Sequence, residues 1–268
     1  MTLTISIKAL PFFSHMDADA WHDLFIYLHR LQPMSVHKNV LKLIGCCLET
    51  QNPLLVYEFG GEKTLKKYIL DVHEGQPEPL TWKSRIRIAM DIANAVAYLH
   101  TALARPIIHR GLSLISIVLD SKHVAKLSEF SLSIAIPEGK SHVEDAISGI
   151  TGYMAPEVWK GSKINEKADV YSFGRLLFEL LTGRNNVPEY YAAEDAIVEE
   201  FVQSYVESNR LIEIVDQNIS SEGINRDELV AFAKIALSCT EENPEDRPTI
   251  TDVAKQLRQL HKASPCIT

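Results

Sequence analysis

Arg110 carries a forked cation that can grip a phosphate. Downstream, the segment 138–151 offers Ser141, Ser148 and Thr151 as hydroxyls that could be phosphorylated and docked on it. An ordinary hydrogen-bonding role for Arg110 is the plainer reading. Lys8, at the end of Ile5-Ser6-Ile7-Lys8, reads as an exposed lysine on a terminal strand, and Glu129 as a loop carboxylate in a solvated cleft. His109 reads as a packed core histidine. The acidic run Glu194–Glu200, with Asp195 and Glu199, reads as a solvated helix face, with a docking patch as the alternative. The four cysteines Cys46, Cys47, Cys239 and Cys266 show no metal-ligand spacing. The adjacent pair Cys46-Cys47 is expected to be buried as small hydrophobes in a reducing compartment.

These residues need elements to position them. The chain has 268 residues, 46% of them hydrophobic, enough for one large domain or two small lobes around a well-buried core. In the first part, Leu3, Ile5 and Ile7 alternate with Thr4, Ser6 and Lys8 as on a half-buried strand, which Pro11 ends. Trp21, Leu24, Phe25, Leu28 and Leu31 fall three or four apart, as on a helix face over Asp17–Leu31. Two apolar runs, Val40–Leu48 and Leu54–Phe59, flank a turn at Gln51-Asn52-Pro53. After Gly60-Gly61 the character changes. Thr81–Leu99 reads as a long helix with Ile86, Ala89, Met90, Ala93, Val96 and Ala97 on one face, and short β-like runs flank a loop at 106–127. Helices dominate from about Glu166. A small β-rich part before a larger helical part predicts two lobes with a cleft between them, the usual place for a ligand.

Composition narrows the function classes. The formal charge is −8, from 27 Lys+Arg against 35 Asp+Glu, and no stretch is basic enough to follow a phosphate backbone, which argues against nucleic acid. No uninterrupted apolar run reaches the roughly 18–20 residues of a membrane span. The N-terminus lacks the pattern of a secretory signal, and Thr2 stands where N-myristoylation needs glycine. The expectation is a soluble, intracellular chain.

Five motifs then stand in order. Ile108-His109-Arg110-Gly111-Leu112 runs through Ile117-Val118-Leu119-Asp120, and Ala125-Lys126-Leu127-Ser128-Glu129-Phe130-Ser131 follows, with Glu129 twenty residues after His109. Gly152-Tyr153-Met154-Ala155-Pro156-Glu157, Asp169-Val170-Tyr171-Ser172-Phe173-Gly174 and Asn243-Pro244-Glu245-Asp246-Arg247-Pro248 complete the series. Together they resemble the protein kinase superfamily over nearly the whole chain. Gly45-Cys46-Cys47-Leu48-Glu49 and Leu55-Val56-Tyr57-Glu58-Phe59 resemble the wall-associated branch of plant receptor-like kinases. The stretches Ile92–Ala102 and Ile134–Lys140 look like the ZRK group, the HOPZ-ETI-deficient-related pseudokinases. The resemblance implies an α+β, protein-kinase-like two-lobed fold, with a truncated small lobe over 1–60 (third strand to hinge, no Gly-rich loop) and a helical large lobe over 61–268.

Phosphoryl transfer rests on a Gly-rich loop, a strand Lys held by a helix Glu, a base and metal ligands. Laid on that pattern, Lys8 matches the strand Lys, so a vestigial nucleotide contact joins the plainer reading of it. Leu24 falls at the helix Glu, with Asp23 beside it. Gly111 stands at the catalytic Asp and Ser113 at the Lys that steadies the phosphate. Ser116 stands at the Asn metal ligand, and Glu129 at the metal-binding Asp. Ser131 replaces the flexible Gly, and Ile150 the Thr that bridges to the base. Losing a base alone costs about 10²–10⁴ in rate, against kinase turnovers of about 1–100 s⁻¹. Scaffold positions survive: Glu157 and Arg247 match a buried salt bridge, Asp169 the helix Asp that holds the catalytic loop, and His109 and Phe130 the hydrophobic spine. Trp82 and Trp159 match core positions.

The implied protein is a catalytically inactive Ser/Thr kinase homologue with no catalytic residue, no metal site and no required cofactor. ATP binding through Lys8 stays open. Group members bind nucleotide-binding leucine-rich-repeat (NLR) immune receptors and receptor-like cytoplasmic kinases, so an adaptor or decoy in plant innate immunity is implied. Its place would be cytoplasmic, with peripheral attachment at the plasma membrane through partners. The alternatives are a weakly active atypical Ser/Thr kinase that uses Glu129 for metal, and a non-catalytic ATP-binding regulator. A first strand without its neighbours also leaves an open sheet edge.

Overall fold

The computed structural model describes residues 5–9, 33–50, 53–61, 63–70, 78–161, 163–183 and 197–263. The expected helix over Asp17–Leu31 and the positions Asp23 and Leu24 lie outside them, as do Leu3, Pro11, Gln51, Asn52 and Cys266. Three strands, β1 (Ile5–Ala9), β2 (Leu43–Cys47) and β3 (Leu54–Glu58), form an antiparallel sheet in the order β1-β3-β2. The apolar run of β3 divides between two faces: Leu55 and Tyr57 point into the core, while Leu54, Val56 and Glu58 are only half-covered. The apolar run from Val40 yields a shorter strand than its composition suggests. Val40 itself pairs with Leu127 instead, and a bulge interrupts the register between Leu43 and Gly45.

Among the described residues β1 is an edge strand, and Ile5 and Ile7 are 41% and 59% exposed on it. The opposite edge corrects one expectation. Cys46 is exposed and Cys47 half-exposed, because Cys46 lies with Ile44 on the outward face of β2, which is the other edge strand among the described residues. Only Cys239 is buried among the described cysteines, and burial pushes its thiol up to about 12.

The hinge after β3 passes Gly61, where φ is +117° and a Cβ would stand 1.8 Å from the Leu119 carbonyl oxygen, so only glycine fits. The second lobe begins with β4 (Lys63–Thr64) and α1 (Leu65–Ile69), then α2 (Trp82–Thr101), whose first turn is capped by the Thr81 hydroxyl accepting from Ser84 N. Of the face expected for α2, Ile86, Ala89, Ala93 and Val96 are buried and Met90 and Ala97 partly so, and Ile88, Ile92, Ala95 and Leu99 are buried as well. Strands β5 (Ile107–Ile108), β6 (Ile117–Leu119), β7 (Ala125–Leu127) and β8 (Ile134–Ala135) make two small antiparallel ladders, β4-β6-β7 and β5-β8.

Helices then follow: α3 (Pro156–Trp159), α4 (Lys167–Thr182), α5 (Ile197–Glu207), α6 (Gln217–Ser220), α7 (Arg226–Cys239) and α8 (Ile250–Ala263). Helix α4 is buried on nearly every side, as befits the central helix of a lobe. It approaches α7 so closely at Gly174 that a Cβ there would lie 2.6–2.9 Å from Thr240 Cγ2, Cys239 Cβ and the Ala236 carbonyl. Trp82 is buried as expected, but Trp159 is 44% exposed. Helix α3 is one turn long, Val158 takes its inward position, and the next residue turns outward. The lobes join through residues 39–41: Leu41 N donates to Leu127 O and Leu127 N to Asn39 O, both at 2.8 Å, and Asn39 Nδ2 donates to Ala125 O at 2.9 Å. No described helix is long and apolar enough to cross a membrane. The result is an α+β fold with a small β lobe and a mainly helical large lobe.

Candidate functional site

The loop that follows β5 is organised around one buried carboxylate. Asp169, in the first turn of α4, accepts from His109 N at 2.8 Å and from Arg110 N at 2.9 Å, and its Oδ2 lies 2.9 Å from His100 Nε2. Burial opposes its charge. The His100 hydrogen bond, the nearby imidazoles and the His109 N–H outweigh that and hold Asp169 below the usual carboxylate range. His109 is fully buried, with its ring edge-on to Phe130 at 4.9 Å. Gly111 N donates to its Nδ1 at 3.2 Å, so the proton sits on Nε2, which donates to Ser128 O at 2.9 Å. Burial lowers the pKa of this ring and keeps it neutral. The geometry is therefore that of a scaffold: Asp169, His109 and Phe130 are consumed in holding backbone and packing core.

At the positions where a phosphate-transfer site carries its reacting groups, the side chains are short or turned inward. Gly111 has none, although a Cβ there would meet only ordinary contacts at 3.6 Å from Glu129 O and His109 Cε1. The Ser116 hydroxyl accepts from Ser113 N at 3.0 Å and donates to Ser113 O at 2.9 Å, which closes it onto its own 3₁₀ turn. Ser128 Oγ adds a bond to Ser116 O at 3.0 Å. Ser113 Oγ is buried and finds no partner among the described residues. Ser131 is exposed on the short turn Phe130–Leu132, and Ile150 offers an apolar side chain.

Glu129 sits in the left-handed region at φ +63°, and its carboxylate accepts from the Lys8 ammonium across the cleft between β1 and the loop after β7. The sequence treats these two as separate questions, 121 residues apart; the fold pairs them. Both are more than a third exposed, so the bond is worth at most about 1 kcal/mol. Of the positions compared, only Glu129 brings a carboxylate, and it is already neutralised. Ser116 has its hydroxyl committed elsewhere. A divalent cation bridging a nucleotide would meet one carboxylate here, that of Glu129, beside a Ser116 hydroxyl bonded to its own turn. Among the described residues no three His, Cys, Asp or Glu side chains converge to hold a metal.

The segment after the site is held by charges that sequence reasoning placed in part. Arg247 donates to both Glu157 oxygens at 2.7 and 2.9 Å, and to the carbonyls of Glu241, Lys167 and Glu242 at 2.7–3.0 Å. All five guanidinium donors are used, and the side chain is wholly buried. Arg110 bonds Asp145 Oδ2 and Leu132 O, each at 2.6 Å, so a carboxylate rather than Ser141, Ser148 or Thr151 meets it. Glu199 corrects the reading of a solvated acidic face: it accepts from Arg175 at 3.1–3.2 Å and from Tyr171 Oη at 3.1 Å, and only 17% of its side chain is exposed. Glu200, one step round the helix, is exposed as expected, and Glu194 and Asp195 lie outside the described residues.

One group was missed altogether. Glu179 of α4 accepts from Tyr153 Oη beside a cavity of about 270 Å³ that Thr151, Gly152 and Arg175 also line. Burial raises this carboxyl to about 7 against the Tyr153 bond and the charges of Arg175 and Lys66. A Glu inside the apolar run Leu176–Leu181 is the one sequence signal that could have found it.

The two lobes, the loop held by Asp169 and the Glu157–Arg247 lock define a protein kinase domain. The chain belongs to the protein tyrosine and serine/threonine kinase family, whose model matches residues 2–257. It is similar to plant wall-associated receptor kinases of Arabidopsis thaliana: 38% identical over 228 residues to wall-associated receptor kinase-like 4, 40% over 225 to wall-associated receptor kinase 4, and 41% over 226 to wall-associated receptor kinase 5. These matches cover 84–85% of this chain but 30% of each relative, so it spans under a third of their length.

Proposed function

We propose that this protein is a catalytically inactive kinase homologue that works as an adaptor or decoy in plant innate immune signalling, bridging an NLR immune receptor and receptor-like cytoplasmic kinases. The observation that carries the inactive half is at the loop after β5. Gly111 supplies no base where the family's transfer chemistry needs a carboxylate, while Ser116 is closed on its own turn and Glu129 is neutralised by Lys8. Loss of the base alone removes about 10²–10⁴ in rate, and loss of metal ligands weakens the charge stabilisation on which phosphoryl transfer depends. The retention of Asp169, Glu157 and Arg247 with full hydrogen bonding supports a domain kept for its surface. The partner half rests on the resemblance of Ile92–Ala102 and Ile134–Lys140 to the ZRK pseudokinases. In this reading no cofactor is required and the domain acts in the cytoplasm, reaching the plasma membrane through its partners.

Two measurements test it. The purified chain incubated with labelled ATP and Mg²⁺ or Mn²⁺ is expected to transfer no phosphate above background. Transfer that disappears on Glu129→Ala would establish an active enzyme that uses this carboxylate for metal. Affinity purification of the tagged chain from plant tissue is expected to recover an NLR receptor or a receptor-like cytoplasmic kinase. Recovery of neither would remove the adaptor role.

A further inference from the structure

On the large lobe, where the start of α2 meets the loop between α6 and α7, lies a groove of about 720 Å³. That is within the roughly 300–1,000 Å³ of ligand pockets. Trp82, Pro79 and Ile224 give it an apolar lining, and Glu78, Glu222 and Glu228 stand along it with one cation, Lys83. Among the described lining residues the balance is three carboxylates against one ammonium, or −2.

The Trp82 side of the groove is tied down by hydrogen bonds and ring packing. The Trp82 indole is edge-on to Phe232 at 4.9 Å, its Nε1 donates to Glu228 Oε1 at 2.8 Å, and its backbone N lies 3.1 Å from both Glu222 oxygens. Two carboxylates are thus set in place by the two N–H groups of one buried residue. Arg85 is fully buried and spends its guanidinium on Asp216 at 2.6 Å and on the carbonyls of Leu80 and Leu180. Burial raises the Glu222 carboxyl, and the Trp82 N–H and the Arg85 charge offset that only in part.

From this geometry we propose that the groove docks a segment of a protein partner in which an arginine stands beside an apolar side chain. The apolar side chain would seat against Pro79, Trp82 and Ile224. The guanidinium, whose planar fork matches a carboxylate in two parallel bonds, would reach Glu222, with Glu78 and Glu228 adding to the field. With Glu222, Glu228 and the indole already held by hydrogen bonds, less of the ordering cost of docking falls on this chain. The proposal is independent of the catalytic state of the cleft, so a phosphate-transfer assay and the test below can fail separately.

The test is a selection of displayed random peptides on the intact chain, followed by fluorescence anisotropy of the enriched peptides. Enriched sequences are expected to carry arginine next to Leu, Ile, Phe or Trp, and to bind more weakly as salt rises. Glu222→Gln keeps an oxygen for Trp82 N while removing the charge. It is expected to melt with the parent and to bind the peptides at least about tenfold more weakly, the worth of one charge-assisted hydrogen bond. Glu78→Gln, at an exposed rim position, gives a second reading free of any folding effect, with a smaller loss in the same direction. No enrichment, enrichment of uncharged or acidic peptides, or arginine peptides that bind Glu222→Gln as tightly as the parent would each overturn the proposal.

Discussion

Replacing Glu157 with alanine would leave the Arg247 guanidinium buried with its charge uncompensated and two of its five donors unmet. Its remaining partners are neutral carbonyls of Glu241, Lys167 and Glu242, which satisfy hydrogen bonds but do not cancel a charge. The Arg247 side chain is wholly enclosed and the Tyr171 ring lies 5.0 Å from it, so water entering through the 12% of the Glu157 side chain that is exposed would solvate the charge only in part. Breaking one partner of such a pair costs about 3–5 kcal/mol, a large share of the roughly 5–15 kcal/mol that holds a domain folded. At about 2–4 °C per kcal/mol for a domain of this size, the melting temperature should fall by roughly 6–20 °C. Differential scanning calorimetry of Glu157→Ala would measure it, with Glu157→Gln expected between the two because it keeps an acceptor. Lys160→Ala serves as the control, since its partner Glu242 is 82% exposed and the pair is expected to contribute nothing measurable. If Glu157→Ala melts with the parent, the pair is not the lock between the segment and the helical lobe, and the scaffold argument fails with it.

Gly174→Ala should destabilise by about 1–3 kcal/mol in urea unfolding, because its Cβ would lie within 2.9 Å of two α7 atoms and of Thr240, which caps that helix. Glu179 predicts a pH dependence. Its carboxyl is raised from 4.5 to about 7 in the fold, so its contribution is fully present below pH 4.5 and is lost as pH rises towards 7. Stability curves of parent and Glu179→Gln should diverge across that window by up to about 3 kcal/mol, and parallel curves would refute the assignment. Gly111→Asp restores a carboxylate where there is room for one, yet labelled phosphate transfer is expected to stay at background because Ser113, Ser116 and the Lys8–Glu129 bridge remain. Turnover in the range of about 1–100 s⁻¹ would show that the base alone was missing.

What the sequence determined by itself were the features that depend on near neighbours. The 3.6-residue spacing of Ile86, Ala89, Ala93 and Val96 marked α2, and the apolar run Leu54–Phe59 marked β3, although not which of its faces turns inward. The motif order legibly marked the loop around His109 and Gly111, because each motif is a contiguous run. The bulge at Leu43–Gly45, the outward face of β2 that exposes Cys46 and the one-turn length that exposes Trp159 were not legible in this way. Each depends on which neighbour packs alongside an element, a fact that periodicity does not encode. The same limit applies to charge. Resemblance supplied the pairing of Glu157 with Arg247. Only the tertiary structure joined Lys8 to Glu129, Arg110 to Asp145, Glu199 to Arg175 and Glu179 to Tyr153. A charged side chain in a sequence has many possible partners, and the choice among them is made when helices and strands stack, since burial penalises any charge left without one.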